Sequence, residues 1–175
     1  MIIRLCGQED QHMIYEIIND AAQAYKGTIP EDRYHEPYMT AEELRNEMED
    51  GVVFWGMEIE GRLVGVMGIQ DKGDVSLIRH AYVRTMQRSG GIGTKLLDHL
   101  ISLTDRPVLI GTWSAADWAI RFYEKNGFRR VTTAEKEELL RQYWNVPERQ
   151  IETSVVLCDG RWTARSESNE TSVGT

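Results

Sequence analysis

Cysteine is scarce. Cys6 and Cys158 stand far apart, and no CxxC pair or Cys/His cluster accompanies them, which excludes a disulfide framework and a zinc site and leaves no metal expected. Long apolar runs are also missing. None approaches membrane-spanning length, and the opening MIIRLCGQEDQ turns polar too early for the apolar region of a signal peptide. These shortages predict a soluble protein of a reducing, cytoplasmic compartment. Positive charge is in deficit: 20 Lys and Arg stand against 28 Asp and Glu, a formal net charge of -8. Nucleic acid and anionic membrane surfaces attract basic faces, so neither is expected as a partner; a small cationic or amine substrate suits the field better. What the chain does have is 175 residues, 41% of them hydrophobic, enough for one sizeable core and too little for two ordinary domains.

Periodicity orders the elements. Residues 1–6 read as a short strand, and Ile14, Ile17, Ile18, Ala21 and Ala22 then recur at helical spacing. Residues 25–39, YKGTIPEDRYHEPYM, follow neither period and predict a long irregular connection of the kind that lines binding sites. Thr40 with Glu43 forms a capping box ahead of a short acidic helix seamed by Leu44 and Met48. Residues 52–59, 63–69 and 75–83 read as three strands of a meander, with turns at Gly61 and Gly73. A helix opens at Gly91 and carries Ile92, Leu96, Leu97, Leu100 and Leu103, before Pro107 and a strand over 108–110. Ser114 with Asp117 suggests a second capping box, flanked by Trp113 and Trp118 as a staple, for a helix that ends at Asn126-Gly127. A short strand over 128–131, a helix capped by Thr132 or Thr133, and a strand over 151–158 complete a mixed α/β domain, residues 1–158, with a central, mostly antiparallel sheet flanked by helices. Residues 159–175 are small and polar and read as a disordered tail.

The run Arg88-Ser89-Gly90-Gly91-Ile92-Gly93-Thr94 lies between a strand and an amphipathic helix, where backbone amides can converge on a phosphate. Glycine lets the backbone approach closely and adopt positive φ. A flexible turn at a helix start is the plainer alternative. A Walker loop needs Gly-Lys-Ser/Thr, whereas this chain has Gly93-Thr94-Lys95; a dinucleotide fingerprint wants a glycine where Leu96 stands. The Arg-x-x-Gly-x-Gly pattern over 88–93, preceded by a strand ending at Val83, resembles the GCN5-related N-acetyltransferase (GNAT) family. The resemblance continues in AIRFYEKNGF, residues 119–128, which is similar to that family's tyrosine-bearing helix ending in Gly-Phe.

The resemblance implies transfer of an acetyl group from acetyl-CoA to the primary amine of a small metabolite, an amino acid or an analogue, by direct attack. Protein or peptide N-acetylation is the near alternative, and a non-catalytic acyl-CoA-binding module the distant one. By the same resemblance Ala81, Tyr82 and Val83 pair with the cofactor arm, residues 89–94 take the pyrophosphate, and Arg88 adds a charge-assisted contact or is simply solvated. Tyr123 matches the family's general acid, although its spacing alone equally describes a core aromatic. Some members carry a glutamate base where this chain has Gly111, which leaves His80 as the base candidate or as a structural histidine. Ala116 stands where many members have an asparagine on the cofactor arm, so Ser114 or a water would compensate. Glu31, Asp32 and His35 are candidates for binding the amine, and Tyr34, Tyr38, Trp55, Tyr143 and Trp144 for shaping an acceptor pocket. Exposed strand edges are compatible with a homodimer.

Overall fold

In a computed structural model the chain is described over residues 1–163, with only the backbone described at Gln87, Arg88 and Ser89; most of the expected tail, 164–175, lies outside the described residues. The chain divides into two units, Met1–Asp105 and Arg106 onward.

In the first unit, β1 (Ile2–Leu5), β2 (Val53–Ile59), β3 (Arg62–Asp71) and β4 (Ser76–Val83) pair antiparallel in that order. The β2–β3 hairpin closes through Glu60 and Gly61 at φ 52 and 79, the paired positive angles that match a two-residue loop to the strand twist. Alternation gives the sheet two apolar faces. One, with Phe54 and Val66, is covered by α1 (Gln11–Ala21) and α2 (Ala41–Glu49), whose Ile14, Ile17, Ile18 and Leu44 have no exposed surface. Burying each of these side chains contributes roughly 1.5–3 kcal/mol. The other face carries Trp55 and Gly65 and receives α3 (Ile92–Ser102). Thr40 caps α2 by accepting from the Glu43 amide at 3.1 Å, as its capping box predicts.

Polar clasps pin the helices to the sheet. Arg4 on β1 grips Asp10 through two 2.9 Å bonds, and Asp10 also accepts from the Gly7 amide at 2.8 Å. The Arg4 bond, with the Gly7 amide, outweighs burial and holds the Asp10 carboxyl below the usual carboxylate range. Asn19 on α1 clamps both backbone polar groups of Met39, which fixes the far end of the irregular connection.

In the second unit, β5 (Val108–Trp113) and a two-residue β6 (Arg129–Arg130) both pair antiparallel with β7 (Ser154–Cys158). Helices α4 (Asp117–Lys125), α5 (Thr133–Tyr143) and α6 (Glu148–Glu152) complete it. Three expectations need correcting. Ser114 does not cap α4: its hydroxyl and amide both donate to the Thr153 carbonyl, at 2.9 and 2.8 Å, and Ala116 takes the N-cap position without a side-chain bond. Residues 151–153 do not extend the last strand, because a helical turn begins after Pro147 and Ile151 is its buried residue. Ordered contacts also pass beyond Cys158: Asp159 is buried and accepts from the Val108 amide at 3.2 Å, and Trp162 is buried, its indole donating to Glu135 at 3.4 Å. Among the described residues, no helix is long and apolar enough to cross a membrane.

Candidate active site

Strand β4 departs from its ladder at the site. Arg79 faces Gly68 and Tyr82 faces Val66, so the single residue Met67 on β3 opposes both His80 and Ala81. That is a β-bulge, and it takes backbone polar groups out of the pairing with β3. His80 carries it with φ 55, a left-handed conformation that is rare for a residue with a side chain. Gly68 permits the close approach opposite: a Cβ there would lie 2.9 Å from the Arg79 carbonyl oxygen. Tyr82 and Val83 then rejoin β3, half-buried.

Beyond Val83, the Arg84 amide donates to the Val64 carbonyl and the chain tightens into a 3-10 turn, Thr85–Gly90, which the sequence reading did not anticipate. Asp20 of α1 anchors its start, accepting from the Thr85 amide at 3.0 Å and hydroxyl at 3.2 Å. Gly91, at φ 71, turns the chain into α3, and Ile92 buries itself against Gly65. The amides of Ile92, Gly93 and Thr94 have no acceptor within the helix, whereas Lys95 already bonds back to Gly91. No acidic residue stands in that first turn. The segment therefore presents main-chain donors at the positive end of a helix, an arrangement that suits an anion. The side chains of Arg88 and Ser89 lie outside the described residues.

His80 stacks on Phe54 with ring centroids 6.0 Å apart, and its Nε2 lies 3.5 Å from Oε2 of Glu47. Glu47 was not singled out in the sequence, although its i+3 spacing from Leu44 puts it on the packed side of α2. Around Tyr82, the irregular connection assembles an aromatic cluster: Tyr25 lies 6.4 Å from Tyr82 and 5.2 Å from Tyr38, which lies 6.3 Å from Tyr34. Glu31 and Asp32 are exposed nearby in sequence, and His35 meets the Pro37 carbonyl at 2.7 Å. Trp55 belongs elsewhere. It packs edge-on against His99 of α3 at 4.6 Å, on the sheet face opposite Tyr82.

In the second unit Tyr123 is buried on α4 between Phe122 and Phe128, at 5.2 and 6.1 Å. Gly127, at φ 91, ends the helix so that the Phe128 amide returns to the Tyr123 carbonyl at 3.0 Å. Burial pushes the Tyr123 phenol well above its ordinary range. Gly111 is not an empty position. The Trp144 indole lies against it, 3.3 Å from where a Cβ would stand, so no glutamate fits there without moving Trp144. Ser114 spends its hydroxyl on Thr153, and Ala116 is fully buried.

A family model described as an acetyltransferase (GNAT) domain matches residues 14–141. The curated relative named "Probable N-acetyltransferase camello", from Xenopus laevis, is 32% identical over 103 residues, covering 55% of this chain; the chain spans only 47% of that relative's length. Among solved structures, the PaiA N-acetyltransferase of Thermoplasma acidophilum in complex with coenzyme A superposes with a TM-score of 0.68 at 16% identity, over 91% of this chain and 99% of that one. A GNAT-family acetyltransferase from Staphylococcus aureus gives 0.66 at 20% identity, over 90% and 97%.

Proposed function

The chain belongs to the GNAT acetyltransferase family, and on that premise we propose that it moves an acetyl group from acetyl-CoA to the primary amine of a small metabolite, an amino acid or an analogue, by direct attack. The observation that carries this reading is the bulge of β4 followed, after one 3-10 turn, by the Gly91-nucleated start of α3. The bulge offers main-chain amides to the thioester oxygen, where charge develops, and the start of α3 offers them to a pyrophosphate.

On this reading Ala81, Tyr82 and Val83 receive the cofactor arm along β4, and Ser89, Gly90, Gly91, Ile92, Gly93 and Thr94 receive the pyrophosphate, with Arg88 supplying a compensating charge. His80 takes the surplus proton of the attacking amine as its nitrogen bonds to the acetyl carbon. Tyr123 donates its phenolic proton to the sulfur as the carbon–sulfur bond breaks, so the products are the N-acetyl amine and free CoA thiol. Ser114 is a poor substitute for the asparagine lost at Ala116, because its hydroxyl is committed to Thr153. Two buried free thiols, Cys6 and Cys158, suit a reducing setting such as the cytoplasm.

The test is to incubate the purified chain with acetyl-CoA and a panel of amino acids, polyamines and short peptides while following thiol release. Release with small amines is expected. Turnover of peptides alone overturns the acceptor class, and CoA binding without release across the whole panel overturns catalysis.

A further inference from the structure

A left-handed backbone at a residue with a side chain costs about 1–3 kcal/mol, and such strain persists where the surroundings over-determine it. His80 is held in this way. Its ring is stacked on Phe54 of β2 at 28°, and its side chain is only 14% exposed. From α2, Glu47 points Oε2 at His80 Nε2 across 3.5 Å; this is ion-pair distance, and among the described residues no formed hydrogen bond satisfies that nitrogen.

Glu47 is itself placed by others. Arg79, one residue before the bulge, reaches both of its oxygens at 3.2 and 3.4 Å and also donates to Gln70 at 3.1 Å. The buried Gln70 amide donates in turn to the carbonyl and carboxylate of Asp50 at the end of α2. Thus α2, β3 and β4 form one polar chain, Asp50–Gln70–Arg79–Glu47, that terminates on the imidazole. Burial alone would raise the Glu47 carboxyl, but the nearby His80 ring and the charges of Arg79 and Lys72 outweigh it and hold the group below its usual range. The charges of α1, Glu16 and Asp20, are engaged farther along, with Arg84 and Thr85.

We propose that Glu47 is a positioning residue for His80: its carboxylate keeps the ring proton on Nε2 and the imidazole in the bulge, so that Nδ1 presents the lone pair that accepts the amine's proton. The step balances within the proposed reaction. The N–H bond of the attacking amine breaks, the proton moves to Nδ1, and the positive charge so formed is neutralised by Glu47, while Arg79 restrains the carboxylate from taking the proton itself. This inference rests on His80 being the base.

Neutralising the carboxylate beside the ring gives the test. The ring-nitrogen chemical shifts of His80, followed by NMR in the isotopically labelled full chain, should report the Nε2–H tautomer in the wild type and lose that preference in Glu47→Gln. A role confined to packing predicts no change of tautomer, and unmoved ring shifts in Glu47→Gln overturn the proposal without requiring any substrate. With an accepted amine held saturating and acetyl-CoA varied, Glu47→Gln should lower kcat about ten-fold with KM for acetyl-CoA within two-fold, and should add nothing to His80→Gln. Independent, multiplying losses in the double variant also overturn it. If His80→Gln turns over at the wild-type rate, the base assignment itself falls; if His80→Gln is slow and Glu47→Gln is not, only the positioning role falls.

Discussion

Tyr123 sits among Phe122 and Phe128 with its phenol buried, so its proton is retained across the neutral range, as the proposed role of acid requires. Tyr123→Phe removes one oxygen from a packed site and should lower kcat by about 10²–10³-fold, with KM for acetyl-CoA within two-fold in steady-state assays. An unchanged kcat removes Tyr123 as the acid. Because the folded state raises this pKa, its linkage contribution is full below the ordinary phenol range near 10 and is lost as pH rises through it. Thermal melts above pH ~10 should therefore fall faster for the wild type than for the Phe variant. The tyrosine was legible because a short motif surrounds it. The occupant of the Gly111 position was not, since Trp144 reaches it from more than thirty residues away by tertiary packing alone. Glu47 was hidden for the same reason: on an acidic helix it reads as one more solvated charge until β4 brings Arg79 and His80 beneath it.

The turn into α3 is where the proposed function rests on an element more than on any one side chain. Gly91 takes φ 71 in open space, so a β-carbon there costs backbone strain without a clash. Gly91→Ala should lower stability by about 1–2 kcal/mol and weaken CoA binding about ten-fold by calorimetry, because the first-turn amides rotate away. Gly73→Ala, at φ 88 and also in open space, is the control: a similar stability loss with CoA affinity unchanged. Equal binding in both variants would separate this turn from the cofactor. Helix periods, the Thr40 and Thr132 caps and the glycine stops were readable because they are satisfied within a few residues. The start of α4 misled for a physical reason: Ser114 has the chemistry of a cap, but continued pairing beyond β5 delivers the Thr153 carbonyl to its hydroxyl first. The bulge in β4 has no periodic signature because it depends on register against β3, and the 3-10 turn before Gly91 has none because Asp20 of α1 anchors it from far along the chain.

At the scale of the molecule, the net charge of -8 sets a field that favours cations and opposes the anionic cofactor. With acetyl-CoA saturating, kcat/KM for a multiply charged amine should fall several-fold as salt rises from about 0.01 to 1 M, where the screening length shrinks from ~30 to ~3 Å. A neutral, weakly basic amine should change little. Equal salt responses for both amines would remove electrostatic guidance from the account of the acceptor.

Composition, period and turn chemistry by themselves determined the fold class, the order of nearly all elements, the glycine turn that opens α3 and the helix that carries Tyr123, because each is written in residues that are neighbours along the chain. Tertiary structure alone decided that His80 lies in a strained bulge beneath Glu47, that Trp144 rests on Gly111, and that Asp159 and Trp162 belong to the packed region and not to a tail. Strand register and helix packing set those pairings across long stretches of sequence, and no local pattern of side chains encodes them.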